Sequence, residues 1–144
     1  MVVAGAAQAD TYVDAHDYPA PGQGVAAFAQ MERALVRGFD GICGDTFCEG
    51  EYSNLRALQL RCAVRQRDGV VVRCLWSFAG SWARVDPATG EPQVQASTYA
   101  CALPLANGTG LPALLTALGT GPDALERPLP GTRRTAYEAL VGCL

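Results

Sequence analysis

The chain has no lysine. All eleven of its basic residues are arginine, and with the high alanine and glycine content this points to the base composition of a bacterial genome rather than to selection for guanidinium chemistry. The formal charge of −3 lacks the basic excess of a nucleic-acid binder. Histidine is nearly absent too: only His16 occurs, in a stretch without a recognisable nucleophile beside it. No GxSxG, HExxH, GxGxxG or Walker-type sequence is present, so the common catalytic signatures are missing. There is no CxxC pair, although the four thiolates of a zinc site normally arrive as two closely spaced pairs. No apolar run reaches the roughly 18 residues of a transmembrane helix, and no internal repeat is visible.

What the chain does have is six cysteines in 144 residues, an even number suited to a disulfide framework. The spacings predict Cys43–Cys48, Cys62–Cys74 and Cys101–Cys143: a short loop, a cross-strand pair and a long tie to the C-terminal helix. Disulfides persist outside the cytosol. The first residues agree with an exported address, because Val2 to Ala9 reads as the tail of a signal peptide with Ala7-Gln8-Ala9 as its cleavage site. A chain of this length is expected to form a single domain that buries about 68–70% of its unfolded surface.

The pattern is organised around a hairpin. Leu58, Leu60, Cys62 and Val64 alternate on one arm, and Val70, Val72, Cys74, Trp76 and Phe78 on the other, which makes one face apolar. With Cys62 opposite Cys74, Leu60 meets Trp76, Leu58 meets Phe78 and Val64 meets Val72. That register needs an odd loop, either Arg67-Asp68-Gly69 with a left-handed Gly69 or a five-residue loop.

Around the hairpin, residues 1–9 are the leader remnant or a disordered end, 10–23 an extended arm, and 24–144 the folded domain. Val25, Phe28, Met31, Leu35 and Val36 form the stripe of an amphipathic helix that Gly38 should end. The second strand continues past Phe78 to Val85, with Gly80 as a bulge that can turn Trp82 outward. Asp86-Pro87-Ala88-Thr89-Gly90 is turn chemistry, and a third strand follows over 93–105. Leu111, Leu114, Leu115 and Leu118 have helical spacing, and Thr135 with Glu138 forms a capping box ahead of a last helix in which Tyr137, Leu140, Val141 and Leu144 share a face. The expected class is therefore α+β: a three- to four-stranded antiparallel meander with an N-terminal helix and two short C-terminal helices packed on one face, stapled by disulfides.

Two regions stand out as candidate sites. The loop between Phe39 and Ser53 holds Asp40, Asp45, Glu49 and Glu51 with Phe47 and Tyr52, and closure by Cys43 and Cys48 would crowd its carboxylates. Crowded carboxylates bind a cation or raise one another's pKa. Asp40 and Glu51 even have the spacing of the first and twelfth ligands of an EF-hand, but Ile42, Gly44 and Asp45 break that pattern at the third, fifth and sixth positions. On the outward face of the hairpin stand Arg61, Arg65 and Arg73 with Val71 and Leu75 between them, a mixture typical of protein interfaces. The functional expectation is an exported, disulfide-stapled binding module of the inhibitor or immunity type, which meets a protein partner through Asp45, Glu49, Glu51, Tyr52, Arg61, Arg73 and Trp82. The alternatives are a small hydrolase with a carboxylate pair in the acidic loop and a Ca²⁺-dependent module built on residues 40–51.

Overall fold

The computed structural model describes residues 5, 9–49, 52–119 and 121–144. Most of the signal-peptide-like stretch therefore lies outside the described residues, as does Glu51. A four-stranded antiparallel sheet has the order β1 (Tyr12–Asp14), β2 (Arg56–Arg65), β3 (Val71–Val85), β4 (Pro92–Ala102). Helix α1 (Val25–Ile42) precedes the long strands, and α2 (Leu111–Leu118) and α3 (Ala136–Val141) follow them. Cys43–Cys48, Cys62–Cys74 and Cys101–Cys143 are all bonded. Among the described residues no helix is long and apolar enough to cross a membrane.

Alternation along the strands puts Leu60, Cys62 and Val64 of β2, Cys74, Trp76 and Phe78 of β3, and Cys101 of β4 on one buried face. The stripe of α1 closes over it. That stripe consists of Phe28, Met31, Ala34, Leu35 and Phe39, while Val25 is half exposed, a turn too early to reach the sheet. Phe39 meets both Trp76 and Phe78, with ring centroids 6.2 and 5.0 Å apart. α2 adds Leu111, Leu114 and Leu118, and α3 adds Ala136 and Leu140. In α3 the Thr135 hydroxyl caps the Glu138 N–H, as the capping box requires, but Val141 faces solvent.

Gly38 does not end α1, which runs on to Ile42. A Cβ at Gly38 would lie 3.0 Å from the Leu125 Cβ, so the glycine admits the segment that crosses the helix there. The N-terminal arm is not free either. Tyr12 to Asp14 pairs with Arg65 to Ala63, and a 3-10 turn over Ala15–Asp17 carries His16 onto Phe28 at 4.6 Å.

The hairpin keeps two of its four expected cross-strand pairs. Cys62 faces Cys74 and Leu60 faces Trp76, but Val64 faces Val71 and Phe78 faces Ala57. The turn is a four-residue loop, Gln66 to Gly69, closed by Arg65 N–H to Val70 C=O and Gly69 N–H to Arg65 C=O, both 2.8 Å. Gly69 is left-handed, φ 73°. An even loop alone would place the cysteines on opposite faces; one extra residue in β3, Val72, restores the parity and is itself pushed to the exposed side. A second irregularity, between Ala57 and Leu60, exposes Leu58. There the Ser77 hydroxyl accepts from Gln59 N–H and donates to Gln59 C=O, at 3.2 and 3.1 Å. The Glu32 carboxylate of α1 accepts the Leu60 N–H at 2.6 Å. This second bulge thus has side chains where ladder bonds are lost.

Gly80 is not a bulge, because the β3–β4 register is unbroken from Leu75↔Ala102 to Val85↔Pro92. Its missing side chain makes room for Tyr52 and Leu55.

Candidate binding face

The described carboxylates of the acidic loop lie on separate elements. Asp40 lies on the last turn of α1, and Asp45 in a 3-10 turn, Cys43–Asp45. Asp40, Asp45 and Glu49 are exposed. Among the described residues, no group of three or more His, Cys, Asp or Glu side chains is close enough to hold a metal ion. The aromatic residues of the loop turn inward. Phe47 stacks on Phe39, and its ring lies 5.8 Å from both Phe39 and Tyr137. Tyr52 is buried over Gly80, with its hydroxyl 2.8 Å from the Ser97 Oγ.

Trp82 stays on the helix side of β3 by strict alternation, packed against the edge of the core. It is half buried, and the Arg84 guanidinium lies 5.6 Å from its ring centroid, within reach of a cation–π contact.

The opposite face of the sheet has no cover among the described residues. Its rows follow from the register: Tyr12 beside Arg65; Asp14 beside Ala63 and Arg73; Arg61 beside Leu75 and Ala102; Arg56 beside Ala79 and Thr98. Of the sequence-predicted residues, the structure brings together Arg61 and Arg73. They flank an open groove of about 420 Å³, lined also by Tyr12, Asp14, Ala63 and Leu75. The floor is apolar, with Leu75 39% and Tyr12 52% exposed.

The charges here are unequal. Arg65 is held by Asp68 through Nη2 at 2.8 Å and Nε at 3.0 and 3.1 Å, and this bond holds the Asp68 carboxyl below the usual aspartate range. Arg61 Nε has Asp14 at 3.6 Å, an oxygen set that His16 also shares at 3.0 Å. Arg56 and Arg73 form no ion pair among the described residues. The open face is therefore basic, while the chain as a whole is acidic.

Tyr12, Asp14 and Leu75 were not among the sequence-predicted contact residues that line this groove with the arginines. Leu75 alternates with the arginines in the sequence. Tyr12 and Asp14 reach the groove only because the arm adds a fourth strand, and a three-residue segment carries too little period to announce that. No family model matches the chain, and neither a curated protein nor a solved structure does.

Proposed function

We propose that this chain is an exported, disulfide-stapled binding module whose open sheet face, centred on Arg61 and Arg73, recognises an acidic segment of a protein partner. The observation that carries the reading is the pairing of Arg73, which has no ion-pair partner among the described residues, with a second arginine across an apolar floor, on a face that no described residue covers. Guanidinium groups present a planar fork that matches a carboxylate, and Arg beside exposed aromatic and aliphatic surface is the composition of interface centres. An export address is supported by three disulfides and by the A-x-A sequence at Ala7 to Ala9. An inhibitor or immunity role fits a rigid scaffold that offers one flat, charged face and no catalytic set. The acidic loop makes no contact with the partner in this reading.

The test is a fluorescence anisotropy titration of the disulfide-intact protein with a labelled Asp/Glu-rich peptide and its Asn/Gln counterpart. The acidic peptide binds and the neutral one does not. Charged hydrogen bonds contribute about 1.5–3 kcal/mol each, so Arg61→Ala with Arg73→Ala weakens binding by at least about tenfold. Glu49→Gln leaves it unchanged. Equal affinity for both peptides, or indifference to the two arginines, removes the proposal.

A further inference from the structure

β4 is an edge of the sheet, and its hydrogen-bond parity can be read from its two ends. Asp86 N–H donates to Glu91 C=O beside the hairpin loop, and Leu103 N–H donates to Cys74 C=O at the far end. Between them the register is continuous. Bonded and non-bonded pairs alternate in an antiparallel ladder, so the odd-numbered residues of β4 bond to β3. The N–H and C=O groups of Val94, Ala96, Thr98, Ala100 and Ala102 therefore point away from the sheet, and these residues have no backbone partner on that side among the described residues.

Proteins usually blunt such an edge with charge, a bulge, a mid-strand proline or a covering segment. Among the described residues β4 has none of these over its length. It contains no charged residue, its register has no shift, and all of these residues are exposed. Prolines stand only at the two ends, Pro92 and Pro104. Both are even-numbered, so each closes the row of outward donors, and Thr98 lies midway between them.

We propose that this edge pairs with the same edge of a second copy of the chain, antiparallel about a two-fold axis at Thr98. Ala96 then faces Ala100 of the second copy, and Val94 faces Ala102. The row is self-complementary: its donors run equally far on both sides of Thr98, small side chains meet small side chains, and no like charges are opposed. An acidic foreign segment is drawn instead to the arginines of β2 and β3. The contact is isologous and joins two four-stranded sheets into one. A two-fold axis normal to the sheet places both helical layers on one side and both arginine grooves on the other, so the dimer presents two grooves on one face to its partner. A strand-edge contact belongs to the small interface class, and the dimer is concentration dependent.

Sedimentation velocity of the disulfide-intact chain, from about 1 μM to 1 mM to cover weak association, tests this. The wild type passes from monomer to dimer across the range. Ala96→Lys with Ala100→Lys sets like charges opposite each other at both symmetric pairs and raises the dimer dissociation constant at least about tenfold. Ala96→Lys with Ala100→Glu sets opposite charges there and keeps the dimer, which fixes the register. Thr98→Pro removes only the outward central donor and gives a monomer; its near-ultraviolet circular dichroism is that of the wild type, because no bond to β3 is lost. A wild type that is monomeric at every concentration overturns the proposal and leaves the edge to a foreign strand. A dimer unaffected by the double lysine and proline variants also overturns it.

Discussion

Gly80→Ala tests how the first turn after the cross-linked loop is seated on the sheet. An added Cβ would lie 2.8 Å from the Tyr52 Cβ and 2.9 Å from the Leu55 Cδ2, against the roughly 3.5–4.0 Å of a good carbon contact. The Leu55 tip can rotate away. The Tyr52 Cβ cannot, because its backbone places it and its ring is held by the 2.8 Å bond to Ser97 and an edge contact with Tyr99 at 6.3 Å. Overpacking of this kind costs about 1–3 kcal/mol. The loss of glycine's freedom in the unfolded chain returns about 0.4–1 kcal/mol. The net expectation is a destabilisation of about 1–2 kcal/mol, or a fall in Tm of roughly 3–6 °C for a domain of this size. Urea unfolding followed by tyrosine and tryptophan fluorescence measures it. A variant as stable as the wild type, or more stable, would refute the reasoning, since it would mean that Tyr52 does not lie on Gly80 and that the glycine is free to bulge.

Cys62→Ala with Cys74→Ala opens a loop of 12 residues and lowers the unfolding free energy by about 3 kcal/mol on the chain-entropy model. The same change at Cys101 and Cys143, separated by 42 residues, costs about 4 kcal/mol; urea midpoints of the two variants check the order. Glu32→Ala strands the Leu60 N–H at the β2 bulge and destabilises by about 1–3 kcal/mol, with the Leu60 amide showing faster hydrogen exchange than in the wild type. Asp68 is held below its ordinary pKa chiefly by its bond to Arg65. Its contribution is complete above the usual aspartate range and is lost as pH falls through the depressed folded value, so Asp68→Asn flattens the acid limb of a stability-versus-pH curve and leaves the neutral region parallel to the wild type.

The strands were legible because alternation forces Cys62, Cys74 and Trp76 to one side, and that same constraint made the opposite row of Arg61, Arg73 and Leu75 readable. Period was a poorer guide to exceptions. Val72 and Leu58 obey the alternation in sequence, yet two bulges put them in solvent, and their causes, a four-residue loop at one end and the Glu32 and Ser77 side chains at the other, lie outside the strand. Glycine misleads at two positions for one reason. Gly38 and Gly80 look like local punctuation, but each is required by a distant neighbour, Leu125 in one case and Tyr52 in the other. Tyr52 reads as a contact residue because it sits among carboxylates in sequence, whereas in the fold its ring is buried over Gly80, and its neighbour Phe47 stacks on Phe39.

The recognition surface we propose is the arginine row of the sheet, which no described residue covers. Amide chemical-shift mapping during titration with the Asp/Glu-rich peptide tests it most directly. Saturating shifts confined to Tyr12, Asp14, Arg61, Ala63, Arg73, Leu75 and their strand neighbours are expected. Shifts centred on Asp45 and Glu49, or none with the peptide in large excess, would contradict it.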